Sequence, residues 1–348
     1  MTSLLLLLAA AASAAVSGID VLAEGSVTHL IEGRSGGEVS LWHLSVGADG
    51  KGSAPARVDK GLPAPYRAHA GDMRLAADGK TLFVIYSASG TGPAKSGPLA
   101  AALSQDGGKS WKRAGAPGSD GAHGRRFPAV VFGGGALHAV WIDRGGGSRL
   151  LYARSSDLGR SWSKPVNLDD GICECCWNAL AFEDGKLCAL YRDRDPRDMN
   201  AVCSADGGVS WAAPTRIGGF RWRFNACPHV GGALASNGGF EALVWDGSEK
   251  KRGLYFARSE GGKSWSQPAL VSADGKHGDL ASDGKRLAAV WSDGAGALSA
   301  ALSEDGGKSW KTRALVPENA MHPRVIGSGG KFRVFWLEHG AGWSSREL

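Results

Sequence analysis

Apolar residues along the chain come in short runs separated by glycine-rich, charged segments. Phe83-Val84-Ile85-Tyr86, His138-Ala139-Val140-Trp141, Leu150-Leu151-Tyr152-Ala153 and Val334-Phe335-Trp336 are typical. Their β-branched and aromatic content, with turn residues on either side, predicts strands. No window of about 11 residues carries a helical period. The pattern predicts an all-β, single-domain protein without a linker. Its 53 glycines follow no collagen-like period and fit many tight turns between short strands.

One turn pattern recurs between the runs. Residues 104–111, 155–162, 204–211 and 303–310 read S-x-D-x-G-x-x-W, and residues 259–265 are a shortened copy without the Asp. A spacing of roughly 50 residues is that of a four-stranded propeller blade. Ser104, Ser155, Ser204 and Ser303 open the turns. Asp106, Asp157, Asp206 and Asp305 can accept hydrogen bonds from backbone N–H groups of their own turn. Gly108, Gly159, Gly208 and Gly307 supply positive φ. Trp111, Trp162, Trp211, Trp265 and Trp310 cover the hairpins and pack between sheets. All of these residues read as structural.

The pattern resembles the Asp box of the sialidase, or BNR-repeat, superfamily, over nearly the whole chain beyond its first residues. The resemblance implies a β-propeller of four-stranded blades. It places the box between the third and fourth strands of a blade, away from the active face. Aligned on the box, the units are 19–60, 66–116, 123–170, 173–218, 224–274, 277–317 and a partial 321–348. The first is degenerate, with Gly47-Ala48-Asp49-Gly50 where the box would stand. The count favours seven blades, while six is the family norm. The N-terminus is available to complete the last unit with an outer strand.

Residues 4–12 are apolar but too short to span a bilayer. Ala12-Ser13-Ala14 fits a signal cleavage site. Residues 1–18 are expected to be a signal peptide and 19–348 the propeller, secreted or periplasmic, monomeric, with no membrane span. The net charge of +6 is spread along the chain, so no nucleic-acid partner is expected.

In a propeller the loops leading into each first strand, and those joining strands two and three, share one face. The lead-in loops here hold Tyr66, Arg67 and His69; His123 and Arg126; Cys173, Glu174, Cys175 and Cys176; Arg223, Cys227 and His229; His277 and Asp279; and Met321, His322 and Arg324. The second set holds Tyr191, Arg192, Asp193, Arg194, Asp195, Arg197 and Asp198. Guanidinium groups bind carboxylates bidentately. Arg67, Arg126, Arg192, Arg223 and Arg324, with His69, His123, His229 and His322, are therefore candidate ligand-binding residues for a small acidic ligand or acidic glycan. Sialidases use an Arg triad, a Tyr–Glu nucleophile pair and an Asp acid/base. The resemblance makes Tyr191, Glu174, Asp193 and Asp279 the catalytic candidates.

Six cysteines in an exported chain are expected to form disulfides. Cys188 and Cys203 fall opposite each other on a hairpin centred near Asp195-Pro196, so they are predicted to pair. The other four lie in two adjacent lead-in loops. One of Cys173, Cys175 and Cys176 can bridge to Cys227. Alternatively, these four thiolates can hold a soft metal such as copper or zinc, joined by His229 or by Met321 and His322. No other cofactor is expected. Three classes of function remain: a ligand-binding propeller, an exo-acting glycoside hydrolase of sialidase type, and a thiolate metal-binding propeller.

Overall fold

The computed structural model describes residues 15–36, 38–67, 71–90, 96–118, 123–293, 295–340 and 342–348. The cleavage site and His69 lie outside the described residues. Every regular element described is a strand.

Blade 1 comprises β1 (Ala15–Glu24), β2 (Val27–Ser35), β3 (Ser40–Val46) and β4 (Ala56–Arg57). Blade 2 comprises β5 (Met73–Asp78), β6 (Thr81–Ser89), β7 (Ser96–Ser104) and β8 (Lys112–Ala114). Blade 3 comprises β9 (Arg125–Gly133), β10 (Ala136–Asp143), β11 (Arg149–Ser155) and β12 (Val166–Asp170). Blade 4 comprises β13 (Ala179–Glu183), β14 (Lys186–Arg192), β15 (Met199–Ser204) and β16 (Thr215–Ile217). Blade 5 comprises β17 (Ala233–Ser236), β18 (Phe240–Asp246), β19 (Gly253–Ser259) and β20 (Ala269–Ser272). Blade 6 comprises β21 (Lys276–Ser282), β22 (Leu287–Ser292), β23 (Leu298–Ser303) and β24 (Lys311–Val316). Blade 7 has three strands, β25 (Ala320–Ser328), β26 (Lys331–Glu338) and β27 (Gly342–Glu347).

Each blade is an antiparallel meander in chain order. First strands touch in cyclic order from β1 through β25 and back to β1, which makes a seven-bladed propeller. Seven is the number favoured by the unit count, one more than the family norm. Among the described residues no outer strand joins blade 7. β1 instead pairs with β2 inside its own blade, and Ala15 to Gly18, set aside with the leader, begin that strand. The ring closes through first-strand packing: Ile19, Val21, Leu30 and Leu44 form one buried cluster with Ile326, Phe335 and Leu337. Trp343 Nε1 also donates to Glu32 Oε2 at 2.9 Å.

The box turns connect third to fourth strands. In the turn at 155–162, Ser155 Oγ lies 2.7 Å from Asp157 Oδ1 and accepts from Gly159 N at 2.9 Å. Asp157 also accepts from Ser161 N and Oγ. The other three intact turns repeat this geometry. Hydrogen bonds from their serines hold Asp157, Asp206 and Asp305 down at about 2. Each turn also rests on the preceding blade. Trp111 meets His43, Trp162 meets Phe83, Trp211 meets Tyr152 and Trp310 meets Phe256. The shortened turn keeps only the Gly262 N to Ser259 Oγ bond, 2.8 Å. It lies over Cys203, where the other blades present a ring.

Cys188 and Cys203 face each other in the β14–β15 register and are disulfide-bonded, as predicted from the hairpin. The other four cysteines are unbonded, so the structure holds no bridge between Cys227 and blade 4.

Candidate functional site

The lead-in face divides into two parts. On one side, arginines and aspartates lace neighbouring blades. Arg324 on β25 donates to Asp20 of β1 at 2.8 Å and to Asp279 of β21 at 3.3 Å. Both carboxylates accept a second bond from backbone, Asp20 from Leu75 N and Asp279 from Val325 N. Arg126 donates to Asp72 at 3.0 Å and lies over the rings of Tyr66 and Phe127. Arg67 is exposed, and its guanidinium lies over the same Tyr66 ring. Arg223 is 82% exposed and pairs with the exposed Asp195 at 3.6 Å.

These arginines were expected to converge on an acidic ligand. The structure gives Arg126, Arg223 and Arg324 carboxylate partners within the chain, and Arg74, 3.8 Å from Asp20, also feels Asp279 and Asp72, so the partners of Arg324 and Arg126 belong to one network. Arg192 is buried, with guanidinium bonds to the carbonyls of Val230, Arg197 and Trp245. It ties the loop after β14 to blade 5, and its donors have protein acceptors.

Of the catalytic candidates, Tyr191 and Asp193 lie together around Asn200 and Asp169, while Glu174 and Asp279 pair elsewhere. Tyr191 is fully buried and donates to Asp169. Burial, and then Asp169, push its phenol up. Glu174 pairs with Arg144 at 3.4 Å, and Asp193 accepts from Arg194 N and Asn200 Nδ2. Asp279 belongs to the lacing. No Tyr–Glu pair is formed by these residues. His123 packs against Gly145, apart from the others.

On the other side, between blades 4 and 5, the face is built of sulfur and imidazole. Cys173 N donates to Arg192 O at 2.9 Å, which fixes the start of the loop against the end of β14. The following turn brings Cys173 Sγ to 3.4 Å from Cys175 Sγ and 3.3 Å from Cys176 Sγ. Arg197 Nη1 donates to Cys173 Sγ at 3.1 Å, while its Nε donates to Phe224 O. Hydrogen bonding with Cys175 and Cys176, aided by Arg197, lowers the Cys173 thiol. Those same bonds and burial raise Cys175. Burial first of all raises Cys176. The sulfurs of all three cysteines lie within 4.8 Å of one another, and Cys175, Cys227 and His229 form a second such group.

His229 joins this centre to the axis. Its backbone is hydrogen-bonded by His277, which burial and the neighbouring His322 lower to about 3. The rings of Trp177, His277 and His322 follow at 5.9 Å spacings. His322 therefore stands with the imidazole group rather than with the sulfurs. The sequence signalled every cysteine of the centre. It placed Arg197 in the loop joining strands two and three but did not signal its contact with Cys173, which needs the fold of that loop. Two clefts, of about 310 Å³ and 600 Å³, lie elsewhere and are lined by none of the expected ligand-binding residues.

No family model matches the chain, and no curated protein matches it. Solved structures do. An ulvan lyase bound to a sulfated glucuronyl-rhamnose unit is similar with a TM-score of 0.60 at 13% identity, covering 96% of this chain and 94% of that one. A Hadza microbial sialidase is similar with a TM-score of 0.52 at 17% identity, covering 93% and 74%. Trypanosoma rangeli sialidase is similar with a TM-score of 0.56 at 13% identity, and this chain spans 54% of its length. At these identities the likeness is one of architecture: the chain has a sialidase-like propeller fold.

Proposed function

We propose that this chain is an exported propeller that binds a soft metal ion, copper(I), on Cys173, Cys175 and Cys176. The observation that carries the reading is the convergence of three unbonded sulfurs at 3.3 and 3.4 Å around Cys173. Thiolates select soft ions, and the guanidinium of Arg197 offsets part of their negative charge. Structural zinc is almost always four-coordinate. Copper(I) accepts three sulfur ligands, which matches this group. Export is read from the apolar leader at residues 4–12 and accords with the Cys188–Cys203 disulfide.

The test is anaerobic titration of the reduced centre with copper(I) against a chromophoric chelator. Wild type should take copper from the chelator, and Cys173→Ser and Cys176→Ser should not compete. Failure of wild type to compete, or equal competition by both variants, contradicts the reading.

One observation favours a second reading, recognition of an acidic glycan. Phe224 is 44% exposed and stacks on Trp222 at 5.3 Å, with Arg223 beside it. An exposed ring offers a sugar an apolar face. Binding of N-acetylneuraminate or glucuronate-containing oligosaccharides to wild type, lost in Phe224→Ala, would support this reading. Absence of binding to wild type would remove it.

A further inference from the structure

We infer that the loops of blades 4 and 5 hold a second copper(I) ion on Cys175, Cys227 and His229, with Cys175 bridging the two ions. The inference rests on the metal-binding reading above and assigns it a second, exchangeable site. Donor atoms of these three residues lie within 4.8 Å of one another, as do those of Cys173, Cys175 and Cys176, and Cys175 is common to both groups.

The number of donors supports the shared arrangement. Two three-coordinate ions sharing one thiolate require five donor residues, and Cys173, Cys175, Cys176, Cys227 and His229 supply five. A single four-coordinate zinc would leave one of them without a role. Charge accounts for the same composition. Four thiolates are offset by two monovalent cations and the Arg197 guanidinium, leaving a small net charge that a half-exposed site tolerates. On binding, each incoming ion displaces thiol protons to solvent; no electron is transferred and the ions stay monovalent.

The loop that carries the outer group is anchored at several points. His229 adopts φ 55°, in the left-handed region. It is held there while His277 hydrogen-bonds its backbone. The second donor, Cys227, comes from the same loop, whose neighbours Arg221 and Trp222 are anchored by their N–H groups to Asp198 at 2.8 and 2.9 Å. The outer ligands are thus presented by a fixed loop on a neighbouring blade.

Burial separates the two ions by role. Cys173 and Cys176 are buried, whereas Cys227 and His229 are exposed. The inner ion is retained. The outer ion meets solvent on its Cys227–His229 side, where an acceptor with a stronger set of sulfur ligands can take it by ligand exchange through Cys175. The outer ion is therefore cargo, and the inner ion keeps Cys175 deprotonated and in place to receive it.

The experiment is anaerobic copper(I) loading of the full chain, with the disulfide intact, read as metal per protein by native mass spectrometry and by chelator competition. Wild type should bind two ions, the outer one leaving at a chelator concentration roughly tenfold lower, a difference of about 1.4 kcal/mol. The Cys227→Ser/His229→Ala double variant alters exposed side chains only, and should bind one ion with the inner affinity unchanged. One ion in wild type, or two in the double variant, overturns the second site while leaving the metal-binding reading intact. No ion in wild type overturns both.

Discussion

The two halves of the lead-in face use polar residues in opposite ways. Around blades 6, 7, 1, 2 and 3, Arg324, Arg126, Asp20, Asp72 and Asp279 pair with one another between blades. Around blades 4 and 5, Cys173, Cys175, Cys176, Cys227 and His229 converge without forming bonds that exhaust their capacity as ligands. Charge at a propeller mouth is thus no guide to a binding site by itself. What distinguishes the sulfur seam is convergence that the fold does not need: its blades are already joined by Arg192, which reaches three carbonyls from β14.

The largest effect that can break this comparison is loss of the lacing. Arg324→Ala leaves Asp279 buried without its cation and Asp20 with only Arg74 at 3.8 Å, and should destabilise the fold by about 3–5 kcal/mol. Urea denaturation measures it, and a second replacement, Asp279→Asn, should recover part of the loss. A loss below about 1 kcal/mol would mean that the arginine is available to a ligand after all.

The sulfur seam predicts stabilisation by metal instead. Free copper(I) at about 100 times its dissociation constant should add about 2.7 kcal/mol. Chelation should remove the gain, and Cys173→Ser should show a smaller one. The comparison fails if copper leaves the melting temperature unchanged, or if it raises that of Cys173→Ser equally.

The box turns are a third, self-contained class of polar group, and acid reads them out. Asp157, Asp206 and Asp305 titrate at about 2 in the folded protein. An unfolded Asp titrates at about 3.9, so their contribution is complete above that pH and disappears as pH falls through about 2. The urea midpoint should decline across this window, and less steeply in Asp157→Asn. Identical slopes would show that the turns do not carry the acid sensitivity.

The smallest effect is expected at Arg223. Its partner Asp195 is exposed like itself, so Arg223→Ala should change stability by no more than about 0.5 kcal/mol. A larger loss, measured by the same urea titration, would place it with the lacing.

Much of the fold was legible because its determinants are local. Runs such as Phe83-Val84-Ile85-Tyr86 became second strands, and the S-x-D-x-G-x-x-W turns marked the blade period. Ring closure was not legible, since nothing local distinguishes an outer strand for blade 7 from the β1 that pairs with β2. The internal partners of the arginines were hidden for a related reason. Arg324 meets Asp20 across 304 positions of sequence, and Arg126 meets Asp72 across 54. Without those partners an arginine near the axis reads as a ligand clamp. The proximity of Cys173, Cys175 and Cys176 was legible because they are clustered in sequence before they are clustered in space.

The central claim, that the sulfur seam is a ligand set rather than a pair of structural crosslinks, is tested most directly by the state of the six cysteines in protein recovered anaerobically from the export compartment. Native mass spectrometry with differential alkylation reads thiols, disulfides and bound metal together. The account predicts Cys188 linked to Cys203, copper bound, and Cys173, Cys175, Cys176 and Cys227 alkylated only after the metal is stripped. Disulfides among those four cysteines, with no metal bound, would contradict it.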